Sequence, residues 1–187
     1  LKMHRIVPYT TRPIRENETD GVEYHFCDEK KMRELEAAGK VIESRSYDTV
    51  HGIWYYFTVN DGQIDLTKSD YLMIGTIDTY ESLKRYYQNK AGAVFPNPQI
   101  LPIYIEVEDG VRLQRALDRE KEQKDPRYEE MCRRFLADSR DFSPERLSRA
   151  KIAKEQIFHN EDAEETAERV AAYIMMSGSK GSIFRNG

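Results

Sequence analysis

Residues 8–26 read PYTTRPIRENETDGVEYHF, which places Arg12 and Arg15 beside Thr10, Thr11, Glu18, Asp20 and Tyr24. A guanidinium is a planar fork of N–H donors and suits a phosphate, which it can bind bidentately. Two arginines three apart around Pro13 can converge on one anion from a turn. Tyr24, beyond the Asp20-Gly21 turn, offers a hydroxyl as a third donor. By chemistry alone a second reading stays open, a surface loop whose charges are solvated or paired with Glu16, Glu18 and Asp20.

Such a cluster needs a frame. The 187 residues are 39% hydrophobic and 33% charged with a net charge of -4, which fits one soluble globular domain. The acidic balance argues against a nonspecific nucleic-acid binder, so an anion must be held by a local group of arginines. Cys27 and Cys132 read as two reduced thiols. No apolar run approaches the roughly 20 residues that span a bilayer, and LKMHRIV lacks a signal-peptide core. The expectation is a cytoplasmic protein with no nucleic-acid or membrane partner. The sequence does not give the oligomeric state.

The elements follow from pattern. Arg5–Val7, Val22–Phe26, VIESRSY, GIWYYFTV, DYLMIGTI, ILPIYIEV and Gln156–His159 read as strands, with a turn at Asp48-Thr49. Asp28 caps a helix with Met32, Leu35 and Ala38 on one face and Gly39 as its stop. DTYESLKRYYQN is helical, capped by Asp78 or Thr79. Helices at 110–123 and over EEMCRRFLADSRDF flank a polar break, KEQKDPRY. EDAEETAERVAAYIMM is an amphipathic helix with Ala163, Ala167, Val170, Ala171 and Ile174 inward. SGSKGSIFRNG reads as a tail, with a degraded phosphate loop over 173–184 as the alternative. Strands and helices alternate in the second half and strands dominate the first. That pattern predicts an α/β fold, a parallel sheet flanked by helices and carrying a small antiparallel insert.

The run TTRPIRENETDGVEYHF resembles the guanylate kinase signature T-T-R-x-x-R-x-x-E, a glycine turn, then x-Y-x-F. The order downstream is also similar: a helix, VIE, a tyrosine- and glycine-bearing strand pair, IYIEV, an arginine-bearing lid and a late asparagine. The resemblance covers about residues 5–175. It implies a P-loop kinase-like parallel core (1–11, 70–110 and 143–176), a mixed GMP-binding β insert (12–69), a helical lid (111–142) and a tail (177–187). It implies transfer of a phosphoryl group from ATP, with Mg²⁺, to GMP, giving ADP and GDP.

By position, the resemblance assigns the GMP phosphate to Arg12, Arg15 and Tyr24, with Glu18 as the loop glutamate. Glu43, in VIES, falls where the family's carboxylate reads the guanine edge. Guanine presents adjacent N1–H and N2–H donors, which two carboxylate oxygens can accept together. In the lid, Arg119 and Arg134 fall where the family closes two arginines on the transferring phosphoryl group. Arg115, Arg127 and Arg133 compete for those places. Arg119 and Asn160 are the implied ATP contacts, and no metal ligand is assigned.

The sequence departs from the family at several points. The Tyr-Gly-Thr turn is matched by His51-Gly52-Ile53 or by Tyr56-Phe57-Thr58, and Gly52 favours the first because it permits close backbone approach. Pro8 stands where relatives have a serine that contacts the guanine carbonyl, and proline has no donor. IGTID replaces D-x-D, leaving Thr76 and Asp78 as the nearest polar residues. No G-x-x-x-x-G-K-[ST] occurs in the 187 residues; in relatives it precedes the stretch matching RIVPYTTRP. The expectation is a chain carrying the GMP and lid parts, with a catalytically inactive nucleotide- or protein-binding module as the alternative.

Overall fold

The structure is a computed structural model that describes residues 2–49, 52–90 and 99–181. These fall into two compact units, Leu1–Ile100 and Leu101–Gly187.

In the first unit Met3–Arg5 (β1) pairs in parallel with Asp70–Leu72 (β6). A separate four-stranded mixed sheet contains Tyr9–Thr10 (β2), His25–Phe26 (β3), Val41–Thr49 (β4) and Gly52–Val59 (β5), in the order β3-β2-β5-β4. β2 runs parallel to β3 and antiparallel to β5, and β4 runs antiparallel to β5. Glu29–Ala37 (α1) covers this sheet. Asp28 caps it by accepting from Lys31 N–H at 2.7 Å, and Gly39 follows in the left-handed region at φ 64°. Met32 of α1 is buried with Phe57 and Val59, ringed by Tyr9, Cys27, Leu35, Val41 and Tyr55. Each such buried side chain stabilises by roughly 1.5–3 kcal/mol, which is what fixes α1 on the sheet. Ile77–Lys90 (α2) follows β6.

In the second unit Tyr104–Glu106 (β7) pairs in parallel with Ile157–His159 (β8). Four helices accompany them: Asp109–Lys121 (α3), Tyr128–Asp141 (α4), Pro144–Arg149 (α5) and Ala163–Gly181 (α6). Glu108 caps α3 through Val111 N–H at 2.9 Å, and Ser143 caps α5 ahead of Pro144. Arg112 ties α3 to α4: its Nη2 donates to Ser139 Oγ at 2.6 Å and its guanidinium lies 4.1 Å from the Phe135 ring centre. Among the described residues no helix is long and apolar enough to cross a membrane.

Some local expectations change. β4 runs through Asp48 and Thr49, because Thr49 still pairs with Gly52, so these two residues are strand where a turn was expected. ILPIYIEV contributes only Tyr104–Glu106 to a strand. The cap of α2 sits before Asp78: Thr76 Oγ1 accepts from Thr79 N–H at 3.4 Å. α6 continues to Gly181, beyond the expected Met176 end. Ala163 and Ala167 are exposed, and Thr166 is buried in their place. Its hydroxyl reaches the His159 carbonyl at 3.4 Å, so a hydroxyl whose donor is satisfied can occupy the inner face.

Candidate functional site

The 12–24 loop is wired around Arg12. Thr10, wholly buried, donates from Oγ1 to the Tyr55 carbonyl at 2.9 Å, and Thr11 Oγ1 accepts from Tyr55 N–H at 2.9 Å. These bonds hold the start of the loop against β5. Arg12 is 4% exposed. Its Nη1 and Nη2 donate to the two oxygens of Glu18 at 2.7 and 2.5 Å, and Nη1 also reaches the Pro13 carbonyl at 2.9 Å. Its guanidinium lies 5.2 Å from the Tyr24 ring centre and 5.3 Å from that of Phe26. Burial alone would weaken the Arg12 charge, but the Glu18 contacts outweigh it and raise its pKa above the ordinary guanidinium value. The same hydrogen bonds hold the Glu18 carboxyl below the ordinary carboxylate value.

Glu18 also accepts from Arg15 N–H at 2.9 Å. That fixes the backbone of Arg15 while its side chain stays exposed, with no hydrogen bond to another described residue. Tyr24 stands edge-on to Tyr56 at 5.6 Å between ring centres, and Tyr56 edge-on to Tyr47 at 5.5 Å. Burial raises the Tyr56 pKa, against the pull of Arg12 and Arg15 on its phenolate. One exposed guanidinium and two phenols thus cluster at the mouth of a pre-formed loop, a donor-rich surface suited to an anion.

A second polar group lies across the sheet. A register shift between Val41 and Glu43 sets Glu43 opposite Thr58. The Glu43 side chain is 2% exposed, and its Oε1 accepts from Thr58 Oγ1 at 2.7 Å. Arg45 lies on the same strand, with Nε 3.3 Å from Glu43 Oε2 and Nη1 donating to Thr76 Oγ1 at 3.1 Å. Thr76 Oγ1 lies 3.3 Å from Thr79 Oγ1. Gly75 permits this, since a Cβ there would come within 2.9 Å of Thr79 Cγ2. A fixed, buried carboxylate of this kind can accept two parallel N–H donors from a planar ligand.

The structure brings Arg12, Glu18 and Tyr24 together, with Arg15 held beside them, and places Glu43 and Thr76 at two nitrogens of the Arg45 guanidinium. Asp78 is exposed in the first turn of α2, and Gly52 opens β5 with φ 101°. His51 lies outside the described residues. Pro8 contributes its carbonyl, which accepts from His25 N–H at 2.9 Å. Of the two matches for the Tyr-Gly-Thr turn, it is Tyr56-Phe57-Thr58 whose polar residues stand here: Tyr56 near Arg12 and Thr58 on Glu43. The signal was the pair of polar residues flanking a fully buried Phe57. Arg45 has no local sequence signal, since its partner Thr76 lies 31 residues away.

The second unit holds the remaining residues. Arg119 is exposed in the last turn of α3. Arg134, on α4, lies 3.4 Å from Glu120 and donates to the Glu130 carbonyl at 3.4 Å. Of their competitors, Arg133 is paired with Glu130 at 2.7 Å and Arg127 with Asp125 at 3.7 Å, while Arg115 is exposed. Asn160 follows β8, its N–H bonded to the Glu106 carbonyl at 2.8 Å. Its Oδ1 is buried without a hydrogen-bond partner.

The guanylate kinase family model matches residues 2–72, the stretch that contains the whole Arg12–Glu18–Tyr24 loop, Glu43, Tyr56 and Thr58. Over that stretch the chain is similar to guanylate kinases. A guanylate kinase from Porphyromonas gingivalis is 31% identical over 108 residues, covering 57% of this chain and 54% of that protein. One from Frankia casuarinae is 51% identical over 37 residues, 20% of either chain. The matches therefore span about half and a fifth of these two guanylate kinases. The crystal structure of guanylate kinase from Anaplasma phagocytophilum aligns with a TM-score of 0.55 at 20% identity, covering 94% of this chain and 76% of that one. That likeness supports the α/β, P-loop kinase-like fold of the guanylate kinase family.

Proposed function

We propose that this chain carries the GMP-binding and lid parts of a guanylate kinase-type phosphotransferase, ATP + GMP to ADP + GDP. The observation that carries the proposal is Glu43: a buried carboxylate held by Thr58 of β5, the strand whose Tyr56 stands against Tyr24 of the arginine loop. Such a carboxylate accepts the N1–H and N2–H of guanine, whereas adenine offers no such pair of donors.

In this reading Arg15, Tyr24 and Tyr56 donate to the GMP phosphate. Arg12 supplies positive charge from behind, while Glu18 orients it and Arg15. Arg119 and Arg134 neutralise charge on the transferring phosphoryl group. Asn160, which follows β8, is the residue assigned to the adenine of ATP. ATP with its accompanying Mg²⁺ supplies the phosphoryl group when bound. Thr76 and Asp78 complete the residues assigned to the GMP side, His51-Gly52 remains the alternative match for its turn, and 12–69 is its subdomain.

Calorimetric titration with GMP and AMP tests the binding, and a coupled assay of ADP release with ATP and GMP tests turnover. GMP binding well above AMP supports the acceptor site, and its loss in Glu43→Gln supports the base reader. Equal binding of the two nucleotides would remove the role of Glu43. GMP binding without turnover would favour a non-catalytic nucleotide-binding module.

A further inference from the structure

Arg45 sits at the guanine end of the proposed site with hydrogen-bonding capacity unspent. Its side chain is 19% exposed and lies against the 2% exposed Glu43. Nη1 is committed to Thr76. Nε lies 3.3 Å from Glu43 Oε2, yet it makes no hydrogen bond and is closed to solvent. Nη2 makes no hydrogen bond to another described residue. A largely buried guanidinium with idle N–H groups is unusual, because such donors are normally satisfied. With Nη1 on Thr76 and Nε beside Glu43 Oε2, Nη2 is the guanidinium nitrogen left without a described partner.

Guanine's pairing edge runs N2–H, N1–H, O6 in order. If Glu43 accepts the first two, the next group along the edge is an acceptor and needs a donor beside the carboxylate. Pro8 has no side-chain donor to give. Arginine to the O6/N7 edge is a favourable pairing for this base. We propose that Arg45 is a specificity-determining residue whose Nη2 donates to the O6/N7 edge of the guanine, which makes the base reader a carboxylate–guanidinium pair. This rests on the GMP reading above. Adenine would present its amino group to the guanidinium and a lone pair to the carboxylate, a mismatch at both positions.

The test compares GMP with IMP, which keeps O6 and N1–H and lacks the 2-amino group. Wild type, Arg45→Met and Arg45→Lys are titrated calorimetrically with each nucleotide, with thermal melts to establish folding. Arg45→Met is expected to weaken GMP and IMP by the same factor, about 5- to 150-fold, because both lose the same O6 contact. Arg45→Lys keeps a donor without the fork and should lose less, again equally for both. If Arg45 only steadies Glu43, GMP, with two carboxylate contacts, loses more than IMP, with one; a falling GMP/IMP ratio overturns the proposal. Unchanged affinity in both folded variants overturns it too. Should Arg45→Met not fold, the Arg45→Lys ratio decides by the same criterion. A wild-type chain that fails to bind GMP would instead defeat the underlying GMP reading.

Discussion

Glu18→Gln tests the wiring of the 12–24 loop. Glu18 accepts from both terminal nitrogens of Arg12 and from Arg15 N–H. A glutamine keeps one acceptor and turns an NH2 group toward an arginine N–H. The Arg12 side chain is 4% exposed, so its charge cannot turn to water for a substitute. Breaking a buried ion pair costs about 3–5 kcal/mol. Glu18 is 13% exposed, and partial solvation lowers the expected loss to about 2–3 kcal/mol. The effect also has a pH signature. Arg12 holds the folded-state Glu18 pKa below its ordinary 4.5, so the unfolded chain binds this proton more readily than the folded one. The stabilisation is fully present above 4.5 and is lost as pH falls through the lowered value. Urea denaturation followed by fluorescence of Trp54, the single tryptophan, reports on this sheet because Trp54 lies in β5. At pH 7 the variant should unfold at lower urea, and the gap to wild type should narrow below pH 4.5. A loss under about 0.5 kcal/mol, the scale of an exposed pair, or parallel pH profiles, would refute the reasoning.

Two further outcomes are expected. Tyr56→Phe keeps the ring contacts with Tyr24 and Tyr47 but removes a hydroxyl proposed to meet the phosphate; GMP affinity should fall by about 1.5–3 kcal/mol with the melting curve unchanged, as calorimetry and thermal melting would show. Arg112→Met removes the donor to Ser139 and the cation over Phe135, so the second unit should lose about 1–3 kcal/mol in chemical denaturation while GMP binding is retained.

The loop chemistry was legible in the sequence because its parts are close together: Arg12, Glu18 and Tyr24 meet within one short segment whose spacing fixes the contact. The order of strands and helices was legible for the same reason, since periodicity is local. Tyr56 and Thr58 were harder to place. An alternating run such as GIWYYFTV shows that residues take opposite faces without saying which face meets the site. That was decided by the register shift between Val41 and Glu43. Arg45 was invisible because its partner Thr76 is 31 residues away. The inner face of α6 departs from the apolar pattern because alanine looks apolar and threonine polar, while Thr166 satisfies its donor on a carbonyl of β8.

β2 has only two residues, yet it is the strand that joins β3 to β5. Around it, Tyr9 hydroxyl meets Asp61 at 2.7 Å and Val7 N–H meets Gln63 at 2.9 Å, across sequence separations of 52 and 56. The sheet therefore cannot close until the chain through Val59 is available, and these two ties need it through Gln63. On the ribosome, the arginine loop emerges well before the strand that holds it in place, and it waits unsupported for β5. Pairings this distant also slow the search, since a large loop must be closed before any contact rewards it. Vectorial synthesis thus makes β5 the commitment point of the first unit, and a substitution that weakens the β2–β5 pairing would first appear as a lower yield of folded protein.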